Sequence, residues 1–388
     1  MLSPRAFLTV RPLDFGHSVP QAQGVAWMKA ALQRAAPEAG LESGAVARAM
    51  RYYDLLDRVT PIRSRTTALD DYAHADWDRM TLWTEHDGRP WYDVSLERRT
   101  TSFAETAHAL ADQALAGDTE APDVLMQVSC TGYDSPTAIQ RVAVARGWNH
   151  SRVLHLGHMG CYASLPAVAA AADLVRSDAT RTAAPAGADE GDSARATILL
   201  VELCTLHLRP DTTDSEQIVQ QALFADGAAR VDVTSSPPAG ARHFELIDHH
   251  EVLVPDSLDA MTWRVSDGAF RMTLARTVPD VLRAGLPSAV GGLLASHGLA
   301  VDDVPHWAVH PGGPRIIEAC ADALGLPDET VRHSQAVLAA RGNMSSATLP
   351  HIWAEMAADP SVEAGARVVS LAFGPGLTVA MSLMVVGG

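Results

Sequence analysis

The sequence predicts a layered α/β protein built from two similar halves, with its site between them. Three observations carry this reading. Of 388 residues, 47% are hydrophobic and 20% charged, which suits a globular chain with a large core. A strand, a turn and a helix follow one another around Cys161, and the same order returns around His310. Each of those strand ends carries a residue able to do chemistry.

Taken in chain order, segment 22–52 reads as helical, with alanines and apolar residues at mixed three and four spacing and no proline before Pro37, and serves as surface scaffolding. The apolar run 120–129 is a strand that delivers Cys130 to the turn-forming Thr131-Gly132-Tyr133-Asp134-Ser135-Pro136. RVLHLGHMG (152–160) is a second strand ending at glycine, and CYASLPAVAAAADLVR (161–176) a helix apolar almost all round, hence buried. Residues 177–195 have few bulky apolar side chains and read as an exposed loop with no assigned function. ATILLVELCTLHL (196–208) is a central strand, and QALFADGAARVDV (221–233) a helix end, a turn at Asp226-Gly227 and a strand. In the second half, HWAVH (306–310) is a strand, PGGP a turn and RIIEACADALGL (315–326) a helix.

The uncharged last 18 residues, LAFGPGLTVAMSLMVVGG, are long enough to be tested as a membrane span. Gly374-Pro375-Gly376 would break such a helix, and a buried hairpin fits the flanking apolar residues better. The N-terminal MLSPRAFLTVRPLDFG lacks the apolar stretch of a signal peptide, so a reducing cytoplasm with four free thiols is expected.

Composition excludes several functions. A formal net charge of -16 argues against a nucleic-acid backbone as partner. Anionic small molecules remain open, because a few arginines suffice to hold phosphates. Lys29 is the only lysine, so neither a Walker loop nor a Schiff-base enzyme has its required amine. A Gly-x-Ser-x-Gly hydrolase elbow is also missing.

Cys161, at a strand-to-helix turn, is the leading nucleophile candidate, because helix amides and the dipole favour a thiolate. The same cysteine could equally be a small buried hydrophobe. His155, His158 and Cys161 are three apart, but a strand points alternate residues to opposite faces and no fourth ligand follows, so no metal is expected. His310, before the rigid Pro311-Gly312-Gly313-Pro314 turn, is either presented to a pocket or hydrogen-bonded in the core. Asn343, within ARGNMSSA, would by itself be read as a helix cap.

Together these residues form a family pattern. MGCYAS around Cys161, VELCTLHLR at 201–209, QALFADGAA at 221–229, VHPGGPRII at 309–317, GNMSSA at 342–347 and FGPGLT at 373–378 make the chain, from about residue 120 onward, resemble the type III polyketide synthases, the chalcone synthase-like enzymes. The resemblance implies a thiolase-like, five-layered αβαβα fold of two similar halves, 1–209 carrying the nucleophilic cysteine and 210–388 carrying the histidine and asparagine. It implies Cys161 as nucleophile with His310 and Asn343 as partners. It also implies acyl-CoA and malonyl-CoA as substrates, no further cofactor, and a homodimer in which the loop around Ser135 approaches the partner's pocket.

Further expectations follow from alignment to that family. Cys130 aligns with a pocket threonine of the plant enzymes and either lines the cyclisation pocket or is a buried thiol. Leu208 and Met272 stand where many plant members carry two gatekeeper phenylalanines, which favours an alkyl chain. Gly374, Pro375 and Gly376 join the pocket, and Arg63 and Arg65 fall near the family's basic residues for coenzyme A, although a solvated charged face explains them as well. Where the family often has Ala-Gly-Gly after the cysteine, this chain has Tyr162-Ala163-Ser164. The expected reaction is extension of a fatty acyl thioester with malonyl-CoA to an alkylpyrone or alkylresorcinol-like product. A single-condensation ketoacyl synthase or acyltransferase fed by an acyl carrier protein is the alternative, and a silent acyl-binding scaffold a third.

Overall fold

The computed structural model describes residues 5–177 and 193–388. The chain begins with β1 (Phe7–Pro12), β2 (His17–Pro20), α1 (Gln21–Ala35), α2 (Ser43–Val59), β3 (Ser64–Thr67), α3 (Asp70–Ala73) and α4 (Leu96–Leu115). β4 (Val124–Ser129), α5 (Ala138–Ala145), β5 (Arg152–Gly157), α6 (Ser164–Arg176), β6 (Arg195–Leu203), α7 (Ser215–Leu223) and β7 (Asp226–Thr234) follow. Then come β8 (His243–Leu253), β9 (Met261–Val265), β10 (Phe270–Leu274), α8 (Val278–Ser296), β11 (His306–Val309), α9 (Pro314–Leu324), α10 (Arg332–Arg341), α11 (Thr348–Ala358), β12 (Arg367–Gly374) and β13 (Thr378–Gly387).

Nine strands lie side by side in the order β11-β12-β13-β8-β1-β7-β6-β4-β5. The order shows an internal repeat. β4 runs parallel to β6, β6 antiparallel to β7 and β7 antiparallel to β1; β11, β12, β13 and β8 repeat those relations. The two half-sheets meet through a short antiparallel contact, Phe7 opposite Glu245 and Leu8 opposite Phe244. β7 follows the expected 209/210 division and pairs with β1 and β6 of the first half-sheet.

The layers follow from the two-residue period of the strands. On β6, Ala196, Ile198 and Leu200 join one core while Leu199, Val201 and Leu203 join another. On β13, Ala380 and Met384 face the first of these cores and Val379, Met381 and Leu383 a third. Both faces of these two strands are covered, which is why apolar residues dominate them, with Thr197 and Glu202 on β6 and Ser382 on β13 as buried polar exceptions. The shared core holds α6 and α11, packed against strands of both halves, while α1, α2 and α4 cover one outer face and α8, α9 and α10 the other. The result is the five-layered αβαβα arrangement.

Several expectations change in detail. Segment 22–52 is two helices parted by a turn after Ala35. The Asp226-Gly227 pair is no turn: it opens β7, because the buried Asp226 carboxylate accepts from Thr205 N–H at 2.7 Å and Ala68 N–H at 2.8 Å and ties the strand start to two neighbouring segments. The C-terminal run is the expected buried hairpin, β12 and β13. The expected loop at 177–195 falls largely on 178–192, outside the described residues.

Candidate active site

The internal repeat matches the end of β4 to the end of β11, so Cys130 and His310 occupy corresponding positions. Continuing the alternation of Val124, Met126 and Val128 puts Cys130 on the central face; continuing that of Ala308 puts His310 there too. Cys161 lies in the turn that leads into α6, the central helix of that layer. The turn packs closely on the C-terminal hairpin: Gly160 has φ +85°, and a Cβ there would sit 2.6 Å from Pro375 Cδ.

Cys161 borders a cavity whose empty space is about 680 Å³, the open solvent at its mouth included. Cys130, Leu208, Met272 and Pro375 line it, as the sequence suggested. Phe224, Trp263, Phe270, His207 and three glutamines line it as well, so the wall is far less aliphatic than Leu208 and Met272 alone implied. His207 stacks on Phe270 with centroids 4.4 Å apart.

Electrostatics at the floor are set by burial. Desolvation pushes the Cys161 thiol up to about 12, opposed by the Ser345 hydroxyl beside it. His310 is 1% exposed, neither ring nitrogen has a hydrogen-bond partner, and burial drives its pKa down to about 3, so the imidazole is neutral. Asn343 is fully buried; its Oδ1 accepts the Ser345 N–H at 2.9 Å and its Nδ2 donates to the Gly312 carbonyl, two residues beyond His310, at 3.3 Å. Ser345 holds φ +51°, a left-handed conformation unusual for serine, and its hydroxyl lies 3.1 Å from Cys130 Sγ. The loop 343–345 therefore joins the neighbourhoods of Cys161, Cys130 and the turn after His310.

Beneath it, Glu202 is fully buried and accepts from Cys130 N–H at 3.1 Å, from Thr131 Oγ1 at 2.9 Å and from the Ser346 hydroxyl. Burial raises its pKa, and burial with the nearby Glu202 charge holds Cys130 well above the ordinary thiol range.

Other expected residues lie elsewhere. Arg65 does not face solvent: it is 1% exposed and donates to Gln21 Oε1 at 2.8 Å, the Phe224 carbonyl at 3.1 Å, the Gln221 carbonyl and Tyr72 Oη. Its cation caps the C-terminal end of α7 and has no surface left for a phosphate. Arg63 is exposed. Ser135 is exposed and lies outside the cavity lining. Gly374 is packed under Tyr162, whose ring a Cβ would overlap, and Gly376 has φ +70° in the turn. His158 gives Nε2 to the Trp263 carbonyl at 2.8 Å, and among the described residues no group of three or more His, Cys, Asp or Glu converges as a metal site.

Sequence reasoning missed Ser345, Glu202 and the glutamines. Gln217, Gln220 and Gln221 on α7 and Phe224 just past its end recur at i, i+3, i+4 and i+7, a signal present in the sequence, whereas Trp263 and Phe270 arrive on the β9–β10 hairpin, which it did not mark.

Residues 245–386 match the family model described as chalcone and stilbene synthases, C-terminal domain. A 1,3,6,8-tetrahydroxynaphthalene synthase of Streptomyces peucetius subsp. caesius is 30% identical over 372 residues, 86% of this chain and 94% of that protein. The chain belongs to the type III polyketide synthases. A second tetrahydroxynaphthalene synthase, from Streptomyces coelicolor, is 30% identical over 262 residues, 67% of this chain and 66% of that one. In fold, this polyketide synthase is similar to PKS-I of the brown alga Ectocarpus siliculosus, with TM-score 0.79, 24% identity and 98% of both chains covered. It is also similar to the solved tetrahydroxynaphthalene synthase of S. coelicolor, a bacterial type III polyketide synthase, with TM-score 0.76, 24% identity and 99% of both chains covered. As a type III polyketide synthase the protein is a condensing acyltransferase that uses coenzyme A thioesters. Among the described residues no helix is long and apolar enough to cross a membrane.

Proposed function

We propose that Cys161 carries the growing acyl chain and that His310 and Asn343 assist it. The Cys161 thiol passes its proton to His310 and attacks the thioester carbonyl; coenzyme A leaves as the thiol, taking that proton back. Malonyl-CoA then loses carbon dioxide, and its thioester oxygen, now an enolate, takes hydrogen bonds from Asn343 Nδ2 and the His310 N–H. The enolate carbon attacks the acyl carbonyl and Cys161 departs as thiolate, free to be reloaded by the lengthened chain. The observation that carries this reading is the His310 ring: a buried imidazole with both nitrogens unpartnered, in the layer that Cys161 and Asn343 share, calls for a substrate group.

For the substrate, we infer malonyl units condensed into a poly-β-keto chain that closes to a hydroxylated aromatic ring. The aromatic and amide wall supports it, as do relatives named for tetrahydroxynaphthalene. A fatty acyl starter leading to an alkylpyrone or alkylresorcinol is the second reading, favoured by Leu208 and Met272. The edge strand β5 supports a homodimer, because Val153, Leu154 and Leu156 lie only half-buried on an unpaired edge. The exposed Arg63 is the arginine of the expected pair that remains for a coenzyme A phosphate.

Mass spectrometry of products tests the reading, with malonyl-CoA alone and with acyl-CoA starters from short to long. Aromatic products from malonyl-CoA alone, lost in Cys161→Ala, are expected. Ring products only with long starters would select the fatty acyl reading, a single β-keto product the single-condensation alternative, and products that survive Cys161→Ala would remove Cys161 from its role.

A further inference from the structure

Helix α7 turns one face to the cavity, and the three glutamine amides on that face are held differently. Gln217 and Gln220 each donate Nε2 to the Met272 carbonyl, at 2.8 and 2.9 Å, and so clamp β10 to the helix. Gln221 instead accepts the Arg209 N–H on Oε1 at 2.7 Å. A backbone N–H can be met only by an acceptor, so this contact fixes which end of the amide is oxygen. The other end, Nε2, has no partner although Gln221 is only 7% exposed. Turning the amide to find one would break the Arg209 contact on its oxygen. A buried amide donor fixed in a cavity wall without an acceptor is an exception that asks for a ligand.

We propose that Gln221 Nε2 is the docking donor for a ketone oxygen of the chain being extended from Cys161, which makes Gln221 a specificity-determining residue for polyketide length. This rests on the poly-β-keto reading above. Such a chain carries a carbonyl acceptor on every second carbon, so extension brings acceptors to the α7 wall. A saturated acyl chain offers none beyond its thioester and would leave the donor unpaired, the arrangement by which a site rejects a ligand lacking a polar group. Gln221 has no part in bond making; it holds the extended chain against the wall while the next malonyl unit adds.

The test is the product-length distribution with malonyl-CoA as sole substrate, read for the wild type, Gln221→Glu and Gln221→Met. Glutamate keeps an acceptor for Arg209 and removes the donor; methionine keeps the volume and removes both. Both variants should lower the ratio of fully extended to truncated lactone products by about fivefold, the worth of one hydrogen bond. The ratio is internal to each reaction, so loss of folded enzyme does not mimic the effect. A ratio unchanged in both variants, while the wild type extends malonyl units, overturns the role of Gln221 and leaves the proposed function standing. A wild type that makes no poly-β-keto product removes the proposed substrate and this inference together.

Discussion

Asn343 Oδ1 accepts the backbone N–H of Ser345 at 2.9 Å, which turns the amide nitrogen of Asn343 toward the Gly312 carbonyl. The amide is thus oriented before any substrate arrives. Asn343→Asp keeps the acceptor and removes the donor, so decarboxylation of malonyl-CoA should fall by about 10²–10³-fold, the usual cost of losing one oxyanion donor. Release of carbon dioxide measures it, and acylation of Cys161 should fall far less.

Burial holds Cys161 near 12 and His310 near 3, so in the substrate-free enzyme both groups are neutral through the physiological range. Alkylation of Cys161 by iodoacetamide, followed by peptide mass spectrometry, should therefore be slow at pH 7 and rise by about tenfold per pH unit to pH 9. A rate already level below pH 7 would mean that the proton has moved to His310 before substrate binds.

Gly374 makes room for the Tyr162 ring. Gly374→Ala should cost about 1–3 kcal/mol through overpacking, seen as a lower thermal midpoint. Adding Tyr162→Ala should recover part of that loss, giving a coupling energy of about 1 kcal/mol or more in a double-mutant cycle. Strictly additive effects would show that the ring and the glycine do not constrain each other.

Arg65 and Arg63 should separate cleanly. Arg65→Met strands Gln21, Tyr72 and two carbonyls and should lower stability by about 2–5 kcal/mol. Arg63→Ala should leave the thermal midpoint within a degree or two but weaken the salt dependence of KM for malonyl-CoA. An Arg65 variant of normal stability and raised KM would reverse the assignment.

Acid should unfold the protein early. Desolvation depresses His207 and His310 to about 3 and His351 to about 4, whereas an unfolded histidine binds its proton near 6.5. As pH falls below 6.5 the unfolded chain takes up three protons that the folded chain refuses, each removing about 1.4 kcal/mol of stability per pH unit. Asp226, raised to about 6 by burial, acts oppositely between about 6 and 3.8 and offsets one of them. Stability should thus drop by about 2–3 kcal/mol per unit between pH 6 and 4. A thermal midpoint that stays flat from pH 7 to 5 would contradict this.

Much of the frame was legible because β4, β6, β12 and β13 are buried on both faces and therefore mostly apolar. The motifs around Cys161, His310 and Asn343 were legible because a glycine or proline turn accompanies each, after β5, β11 and α10 respectively. Arg65 misled because two of its partners, the Gln221 and Phe224 carbonyls at the end of α7, lie more than 150 residues away along the chain. The cavity wall stayed hidden for a similar reason: Trp263 and Phe270 belong to a short two-stranded hairpin outside the main sheet, and their partners Cys130 and His207 lie far away along the chain.

That hairpin, β9 and β10, is fastened to the rest of the molecule at its cavity side. Trp263 Nε1 donates to the Cys130 carbonyl at 2.6 Å, the Phe270 N–H to His207 Nδ1 at 3.1 Å, and Met272 receives the two α7 amides. Met261, Trp263, Phe270 and Met272 reach the chamber from this hairpin, whereas Cys161, His310 and Asn343 stand on other segments of the chain. Changes confined to those four side chains would thus alter the shape of the chamber without replacing a residue of the reaction centre.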